Sequence, residues 1–361
     1  MRNKFAAIAA IVGLSLTMAA CGDNGSSDEA GGGDAGNEIW YSTKNSTEPV
    51  HVAFANGVLD AAELMGYNGE VVVAEADAAR QNDQLNNLVE NIKPAAIVLN
   101  PYDSDSVSDV IGRGNDAGIP LAVIDNNANN ATLDVAVLFD SIKSGEMAAE
   151  AAVELLTEKY GSPQGTVVNL YGEVVSQVFK ERSEGFENVI NEYPDIELIS
   201  VLGAPEADQA TNALNNVIAD VNSSGGTIDL VNTPTDTATL GVIESLRTNG
   251  MWHKVGEEDH VMIISHDGLG EILDLVIEGY VDREVVIDVF GVGGIAVEVL
   301  HNYSLAGEEV PTSGTFTPEG EYLNTEVTFE EGDTGPTIML DPIVVDASNA
   351  DNPLIWGNAS E

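Results

Sequence analysis

Short apolar runs alternate with helical stretches over residues 38 to about 340. Each run is rich in Val and Ile and is continuous rather than alternating in polarity. This pattern is typical of the central strands of a parallel sheet that is covered on both faces. The hydrophobic positions therefore predict ten strands, at residues 38–42, 70–75, 95–100, 120–125, 135–140, 166–172, 196–203, 227–233, 261–267 and 284–290.

Helical periodicity fills the stretches between these runs. In residues 144–161, for example, Met147, Ala151 and Leu155 share one face, and Gly161 is placed to end the helix. Repeated alternation of strand and helix with short links predicts an open, doubly wound α/β sheet. Ten strands are many for one core, so we expect two parallel-sheet lobes of about five strands each.

The N-terminus has the layout of an export signal. In residues 1–20, Arg2 and Lys4 precede an uncharged apolar segment that ends in small residues. The apolar segment is near the lower length limit for a membrane-spanning helix, so a spanning helix is the weaker interpretation. Residues 21–37 are rich in Gly, Ser and acids with almost nothing to bury, and this composition predicts a flexible acidic tether.

Cys21, the only cysteine of the chain, lies between the signal and the tether, so no internal disulfide is expected. The small residues before it resemble a bacterial lipoprotein signal, and this resemblance implies lipidation at Cys21. The alternative is a buried, inert thiol, which the polar flanking residues do not favour. We therefore expect an extracytoplasmic protein that is anchored to the cell membrane through a lipid only.

The charge of the chain is strongly negative. It has 13 Lys+Arg against 60 Asp+Glu, for a formal net charge of −47. Such a surface repels nucleic acid, and the sequence has no basic stripe that could bind phosphates. Disorder is the alternative reading of an acidic composition, but 43% hydrophobic residues in regular runs favour a folded protein. An acidic, solvated surface is expected where the surroundings are rich in salt.

Polar residues recur where the apolar runs end. Ligands of open parallel sheets bind beyond the carboxyl ends of the strands. Helix capping is the alternative role and accounts for about half of these positions. Two such lobes face to face would form a cleft of Asp, Asn and Arg, which suits a ligand rich in hydroxyls. The strand-end residues are Ser42, Asn100, Asp125, Asp140, Thr233, Asp267 and Asp288.

Five segments in the same order resemble the ribose-binding-protein branch of the type I periplasmic binding proteins. They are residues 41–68, 95–107, 117–127, 180–190 and 261–279. The members of this branch are substrate-binding subunits of ATP-driven sugar importers, in which two lobes close on the ligand.

The resemblance implies a division of the chain and a set of hinges. The N-terminal lobe would comprise residues 38–140 with 289–341, and the C-terminal lobe residues 141–288 with 342–361. Hinges are expected near residues 140, 288 and 341, where the chain changes lobes.

The resemblance also implies ligand contacts. The positions that match the family's contacts are Asn45, Asn100, Asp125, Arg182, Thr235, Asp236 and Asp267. Departures occur at His51, where the family has an aromatic residue, and at Asn126, where it has Arg. Ile287 replaces a Gln at a lobe crossing, with Asp288 beside it. His51, Asn126 and Asp288 are all kept as candidate contacts. The ligand is therefore left open between a sugar, a sugar alcohol and another small polar solute.

Two competing motifs are weak. Gly291, Gly293 and Ala296 fit a dinucleotide fingerprint, but the stretch about 20 residues further on is loop-like and does not place the required acid at the end of a strand, so close helix–strand packing is preferred. Residues 103–109 resemble a calcium loop but lack its glycine. The sequence has no zinc cluster and none of the common hydrolase or nucleotide motifs. No metal, cofactor or catalytic activity is therefore expected.

The sequence thus predicts a monomeric solute receptor that binds a sugar-like ligand, closes, and delivers it to an ABC permease. A sensory receptor of the same fold, signalling to a chemoreceptor or kinase, is the first alternative, and an exported enzyme is the second. Tyr102, Trp252 and Trp356 are left open between packing and stacking on a ligand.

Overall fold

The structure contains two β-sheets, each covered by helices on both faces. The computed structural model describes residues 35–172, 177–202 and 206–359. Within these ranges the strands are β1 (Glu38–Thr43), β2 (Asn68–Val73), β3 (Ala96–Leu99), β4 (Leu121–Ile124), β5 (Val135–Phe139), β6 (Gly165–Tyr171), β7 (Ile196–Leu202), β8 (Leu230–Asn232), β9 (Met262–Asp267), β10 (Arg283–Val286), β11 (Gly314–Phe316), β12 (Val327–Gly332), β13 (Gly335–Leu340) and β14 (Ile343–Val345). The helices are α1 (Pro49–Leu64), α2 (Ala78–Asn87), α3 (Ser108–Asp116), α4 (Ser141–Tyr160), α5 (Gln177–Ile190), α6 (Ala207–Ser224), α7 (Asp236–Thr248), α8 (Gly270–Glu278) and α9 (Val289–Asn302).

The predicted signal, Cys21 and most of the predicted tether lie outside the described residues. Residues 35–37, at the end of the predicted tether, form a short 3₁₀ turn that leads directly into β1. At the end of α4, Gly161 adopts the left-handed conformation with φ 78°, as the sequence predicts for a helix C-terminus.

The first sheet has the strand order β11-β12-β13-β5-β4-β3-β1-β2, and the second has the order β14-β10-β9-β8-β6-β7. Neighbouring strands are parallel except in the pairs β11–β12, β12–β13 and β10–β14. The predicted α/β fold of two doubly wound lobes is confirmed.

The ten predicted strands correspond to β1–β10, whereas β11–β14 have no counterpart among the predictions. In β12, Val327 and Phe329 are buried while the residues between and after them are exposed. A search for continuous apolar runs misses such half-exposed strands, because their polarity alternates. The prediction of about five strands per lobe is therefore wrong, and the sheets have eight and six strands.

Interior strands contribute to a core on each face. In β3, Ile97 packs with α2 and α3, whereas Val98 packs with α1 and α9. The edge strands β2 and β7 differ from the fully covered strands that the sequence predicts, since they expose side chains such as Glu70 and Glu197. Charged side chains on edge strands also discourage pairing with other chains.

The chain passes between the two sheets three times. After β5 of the first sheet, α4 packs on the second; after β10 of the second sheet, α9 packs on the first; and β13 of the first sheet is followed by β14 of the second. The connections at residues 140, 287–288 and 341–342 lie between these elements.

Helix α9 carries the glycines that resemble a dinucleotide fingerprint. A Cβ at Gly293 would lie 3.0 Å from the Phe54 carbonyl oxygen and 2.8 Å from Val58 Cγ2. Glycine therefore permits close packing of α9 on α1. The interpretation of these glycines as a packing feature is confirmed, but the partner is a helix and not the predicted strand. Among the described residues one stretch, Val289–Ala306, is long and apolar enough to span a bilayer; 61% of it is buried inside the protein, as in a core helix.

Candidate ligand-binding cleft

Two aspartates at the carboxyl ends of strands line one cavity between the lobes. Asp125 follows β4 in the first sheet, and Asp267 ends β9 in the second. Their φ angles are 63° and 111°, in a region that residues other than glycine rarely adopt. Such conformations cost about 1–3 kcal/mol each and cluster at ligand sites, where the surrounding structure holds them in place.

Lys44, just after β1, pairs with Asp125 in the first lobe. Lys44 Nζ lies 3.0 Å from Asp125 Oδ2, and Asn100 Nδ2 donates to the same oxygen at 3.2 Å. Burial opposes ionisation of Asp125, but the Lys44 ammonium and the hydrogen bonds outweigh it and hold its pKa below the ordinary value. The Asp125 side chain is therefore a carboxylate at neutral pH.

Arg182, on α5, pairs with Asp267 in the second lobe. Arg182 Nη1 lies 2.8 Å from Asp267 Oδ1 and also donates to the Pro234 carbonyl at 2.8 Å. Arg182 is 7% exposed, and its Nε has no hydrogen-bond partner among the residues that the structure describes. A buried donor without a partner costs about 1–3 kcal/mol, so this N–H is suited to a bound ligand.

Two glycines bring α5 close to α4 and thereby fix the position of Arg182. A Cβ at Gly145 would lie 2.0 Å from the Arg182 carbonyl oxygen, and one at Gly185 would lie 2.1 Å from the Ile142 carbonyl oxygen. Neither position leaves room for a side chain, so the two helices meet through their backbones.

The two ion pairs line an inner cavity of about 230 Å³. This volume is below the range of about 300–1,000 Å³ that is usual for drug-sized ligands, and it suits a ligand the size of a monosaccharide. An outer chamber of about 590 Å³ adjoins it and shares Val50, Phe179, Thr235 and Asp267 with it. The inner cavity has apolar walls formed by Val50, Phe54, Phe139, Val178, Phe179 and Ile287.

His51, near the start of α1, also lines the inner cavity and is 7% exposed. Its Nδ1 has no hydrogen-bond partner among the described residues, and its Nε2 lies 3.5 Å from Glu48 Oε2. Burial first, and then the Lys44 ammonium, lower the pKa of His51. The ring is therefore neutral at neutral pH and offers one donor and one acceptor.

The structure brings most of the predicted site residues together. The residues at the inner cavity are His51, Asp125, Asn126, Arg182, Thr235 and Asp267, and Asp236 lies at the outer chamber.

Three predicted residues, Asn45, Asn100 and Asp288, are not among the described residues that line either chamber. Asn45 Oδ1 accepts from the backbone of Thr47 and Glu48 at 3.1 Å each. Asn100 donates to Asp125, as described above, and Asp288 caps α9 through the Gly291 backbone at 2.9 Å. Asn45 and Asp288 thus bind nearby backbone, and Asn100 supports Asp125, while Asn100 Oδ1 is buried without a hydrogen-bond partner among the described residues.

The inner cavity is also lined by residues that were not predicted from the sequence, namely Lys44 and the rings of Phe54, Phe139 and Phe179. A signal for Lys44 was available, since a basic residue directly after the first strand is unusual in a chain with 13 Lys+Arg. The rings lie inside helices or at a strand end, where packing is the usual role of an aromatic residue.

The three aromatic residues that the sequence leaves open have different places. Trp356 lines the outer chamber, and its Nε1 donates to the Asp267 carbonyl at 2.7 Å. Trp252 stacks on Tyr280 with ring centroids 4.8 Å apart, and neither ring lines the two chambers described here. Tyr102 is 47% exposed.

The cleft offers hydrogen-bond donors and acceptors in pairs, with apolar walls between them. In the described part of the chain, no three or more His, Cys, Asp or Glu side chains are grouped so as to hold a metal ion. The arrangement can hold a small ligand from both lobes at once.

Comparison with known proteins gives several similarities. The sequence model of one protein family, the periplasmic binding protein domain, matches residues 39–309 of this chain. The D-apiose import binding protein of Actinobacillus succinogenes is 26% identical over 238 residues, which are 66% of this chain and 72% of that protein. The xylitol-binding protein of Mycolicibacterium smegmatis is 26% identical over 279 residues, which are 77% and 74% of the two chains. The structure of an ABC transporter solute-binding protein from Bacillus halodurans with bound myo-inositol has a TM-score of 0.68 and 23% identity; the match covers 90% of this chain and 99% of that one, and it supports the same fold.

Proposed function

We infer the function from the family to which this chain belongs, the periplasmic binding proteins. We propose that the protein captures a sugar or a similar polyhydroxylated small molecule between its lobes and delivers it to an ABC importer. Two relatives are named for D-apiose and xylitol, and the similar structure contains bound myo-inositol; all three are small carbon skeletons with several hydroxyl groups. Ligands of this kind are therefore the first candidates here.

One observation carries the proposal: an ion pair from each lobe lines the same small cavity. The pairs are Lys44–Asp125 and Arg182–Asp267. A hydroxyl group both donates and accepts, so the carboxylate and the cation of one pair can bind neighbouring hydroxyls of a ligand. The apolar walls, including the ring of Phe179, suit the carbon faces of the same ligand.

Closure of the lobes is the proposed mechanism. We take residues 38–140 with 289–341 as one lobe and residues 141–288 with 342–361 as the other, with hinges at the three connections. A ligand that contacts both lobes binds the closed state more tightly and so increases its population. No covalent bond is made or broken, and the closed monomer is the form offered to the permease.

Thermal unfolding of residues 35–361 tests this function. We expect D-apiose, xylitol, myo-inositol or a related sugar to raise the melting temperature by several degrees. At about 100 times its Kd, a ligand that binds only the folded state adds about 2.7 kcal/mol. Glycine betaine, a solute without hydroxyl groups, is the control. A shift with the control and none with any sugar or polyol would contradict the proposal.

We also propose that residues 1–20 are removed after export and that Cys21 is lipidated, with residues 21–37 as the tether. The uncharged apolar segment before Cys21 supports this, as does membership of a family of extracytoplasmic proteins. In the native host, Cys21→Ser is expected to move the protein from the membrane fraction to the soluble extracytoplasmic fraction, with ligand binding unchanged. Retention of this variant in the membrane fraction would argue against the anchor.

A further inference from the structure

Two carboxyl groups are buried together beside Asp267 in the second lobe. Asp236, at the start of α7, is 4% exposed, and Glu284, on β10, is 0% exposed. Strand β10 pairs with β9 so that Glu284 lies opposite Ser265, two residues before Asp267. The second lobe therefore holds three acidic side chains in one small region.

Both buried acids bind the backbone that follows Asp267. Asp236 Oδ2 accepts from the N–H groups of Gly268 at 2.9 Å and Leu269 at 2.6 Å. Glu284 Oε1 accepts from the Gly268 N–H at 2.6 Å. These hydrogen bonds fix the backbone directly after Asp267, the residue whose φ is 111°.

The hydrogen bonds indicate which acid carries a proton. Both oxygens of Asp236 accept, because Oδ1 receives a bond from Ser265 Oγ at 2.5 Å. Glu284 Oε2 is buried without a hydrogen-bond partner among the described residues, although the Glu284 side chain contacts Asp236. A proton on Glu284 that is donated to Asp236 satisfies this oxygen and avoids an unpaired buried charge.

We propose that Asp236 and Glu284 share one proton and act as a positioning pair that holds Gly268 and Leu269, so that Asp267 meets Arg182 and the ligand. The part of this proposal that concerns the ligand rests on the proposed function. When the shared proton is lost, a third negative charge joins those of Asp236 and Asp267. Repulsion among the three carboxylates then works against the arrangement that holds Gly268 and Leu269, and the site loosens.

Burial supports the shared proton. Burial, followed by the charge of Asp236, raises the pKa of Glu284 well above its ordinary value. Burial, followed by the charge of Asp267, raises the pKa of Asp236. The folded protein thus binds more protons than the unfolded chain, so the free energy of unfolding falls as pH rises from the ordinary Glu range through the raised pKa.

Charged groups from two other elements face Asp236 and Glu284. They are Asp267 from β9 and, through Asp267, Arg182 from α5. On the neighbouring strand β14, Val345 is paired with Glu284 and is apolar. His266, next to Asp267 in the chain, has a pKa lowered to about 3 by burial and then by Arg182, so it stays neutral over the range in question.

Ser265, which donates to Asp236, is also the first of a row of buried hydroxyl groups. Ser265 Oγ lies 2.6 Å from Thr239 Oγ1, which lies 2.6 Å from Thr233 Oγ1. Hydroxyl groups do not titrate in this range, so a pH response here belongs to the two acids.

The fluorescence of Trp356 reports on the position of Asp267 without any ligand, because Trp356 Nε1 donates a hydrogen bond to the Asp267 carbonyl. In the full chain carrying Trp40→Phe and Trp252→Phe, we expect the Trp356 fluorescence to change as the pH rises above the ordinary titration range of a glutamate, because burial raises the pKa of Glu284. Glu284→Gln keeps a donor for Asp236 but cannot ionise, so the change should disappear. Glu278→Gln, at an exposed glutamate on α8, is the matched control and should retain it.

A second variant keeps the test decisive if Glu284→Gln does not fold. Asp236→Asn removes the neighbouring charge and should move the fluorescence change to lower pH. Absence of any change in the parent protein, the same change in Glu284→Gln, or an unshifted change in Asp236→Asn would each overturn the proposal.

The ligand part is tested with whichever polyol or sugar stabilises the protein in the panel above. Its Kd should rise about tenfold from pH 7 to 9, the equivalent of one pKa unit of coupling. In Glu284→Gln it should rise by less than about twofold; an equal rise in both proteins would overturn this part. If no sugar or polyol binds, the proposed function fails while the fluorescence test still decides on the acid pair.

Discussion

Arg182→Ala is expected to remove most of the stabilisation by ligand while leaving the protein folded. The change removes the buried guanidinium and leaves Asp267, whose side chain is 24% exposed, without its cation. Truncating one partner of a buried, hydrogen-bonded charge pair costs about 2–5 kcal/mol of binding. The Kd for the sugar or polyol identified in the panel should therefore rise at least about thirtyfold, as measured by titration calorimetry.

Lys180→Ala is the matched control, because Lys180 lies two residues earlier on the same helix and is exposed. We expect its Kd to stay within about twofold of the parent value, since exposed charges contribute little. An unchanged Kd in Arg182→Ala, with the fold intact by circular dichroism, would show that the ligand binds elsewhere.

Gly145→Val is expected to lower the free energy of unfolding by about 3 kcal/mol, at the upper end of what overpacking normally costs. The reason is that even a Cβ at this position would lie 2.0 Å from the Arg182 carbonyl oxygen. Backbone cannot rotate away as a flexible side chain does, so α5 must move. Urea unfolding measures the loss, and ligand titration should show weaker binding because Arg182 moves with α5.

An exposed position on α4, the helix that carries Gly145, serves as the control for this prediction. Glu150→Ala should change the free energy of unfolding by less than about 0.5 kcal/mol. Equal stability of the Gly145→Val and Glu150→Ala variants would mean that α4 and α5 do not meet as closely as the structure has them.

The doubly wound architecture could be predicted because its central strands are covered on both faces. A strand such as β3 has to be apolar at every position, and continuous runs of Val and Ile are rare elsewhere. Strand β12 could not be found in this way, since its buried and exposed residues alternate, and β11 and β14 are only three residues long. Alternating polarity over three to six residues is too short a signal to separate from a loop.

The site was only partly predictable for a different reason. An acid or amide at a strand end looks the same in sequence whether it caps a helix, as Asp288 does, or faces a cavity, as Asp125 does. The two roles use the same acceptor oxygen, and only the direction of the side chain separates them. The pairing of Lys44 with Asp125 joins residues that are 81 positions apart, and neither residue indicates the other in the sequence.

In the inner cavity each cation is paired with a carboxylate, so the charges of the two ion pairs cancel, although the chain as a whole has a net charge of −47. Neither a dissolved anion nor a dissolved cation gains a net attraction to such a site, whereas an uncharged solute with hydroxyl groups can hydrogen-bond to both members of a pair. Because the partners are about 3 Å apart and largely shielded from water, an external electrolyte screens them far less than it screens the surface. The net charge of the chain and the paired charges of the cavity thus have separate effects: the first disfavours association between copies of the protein, and the second attracts neither sign of dissolved ion.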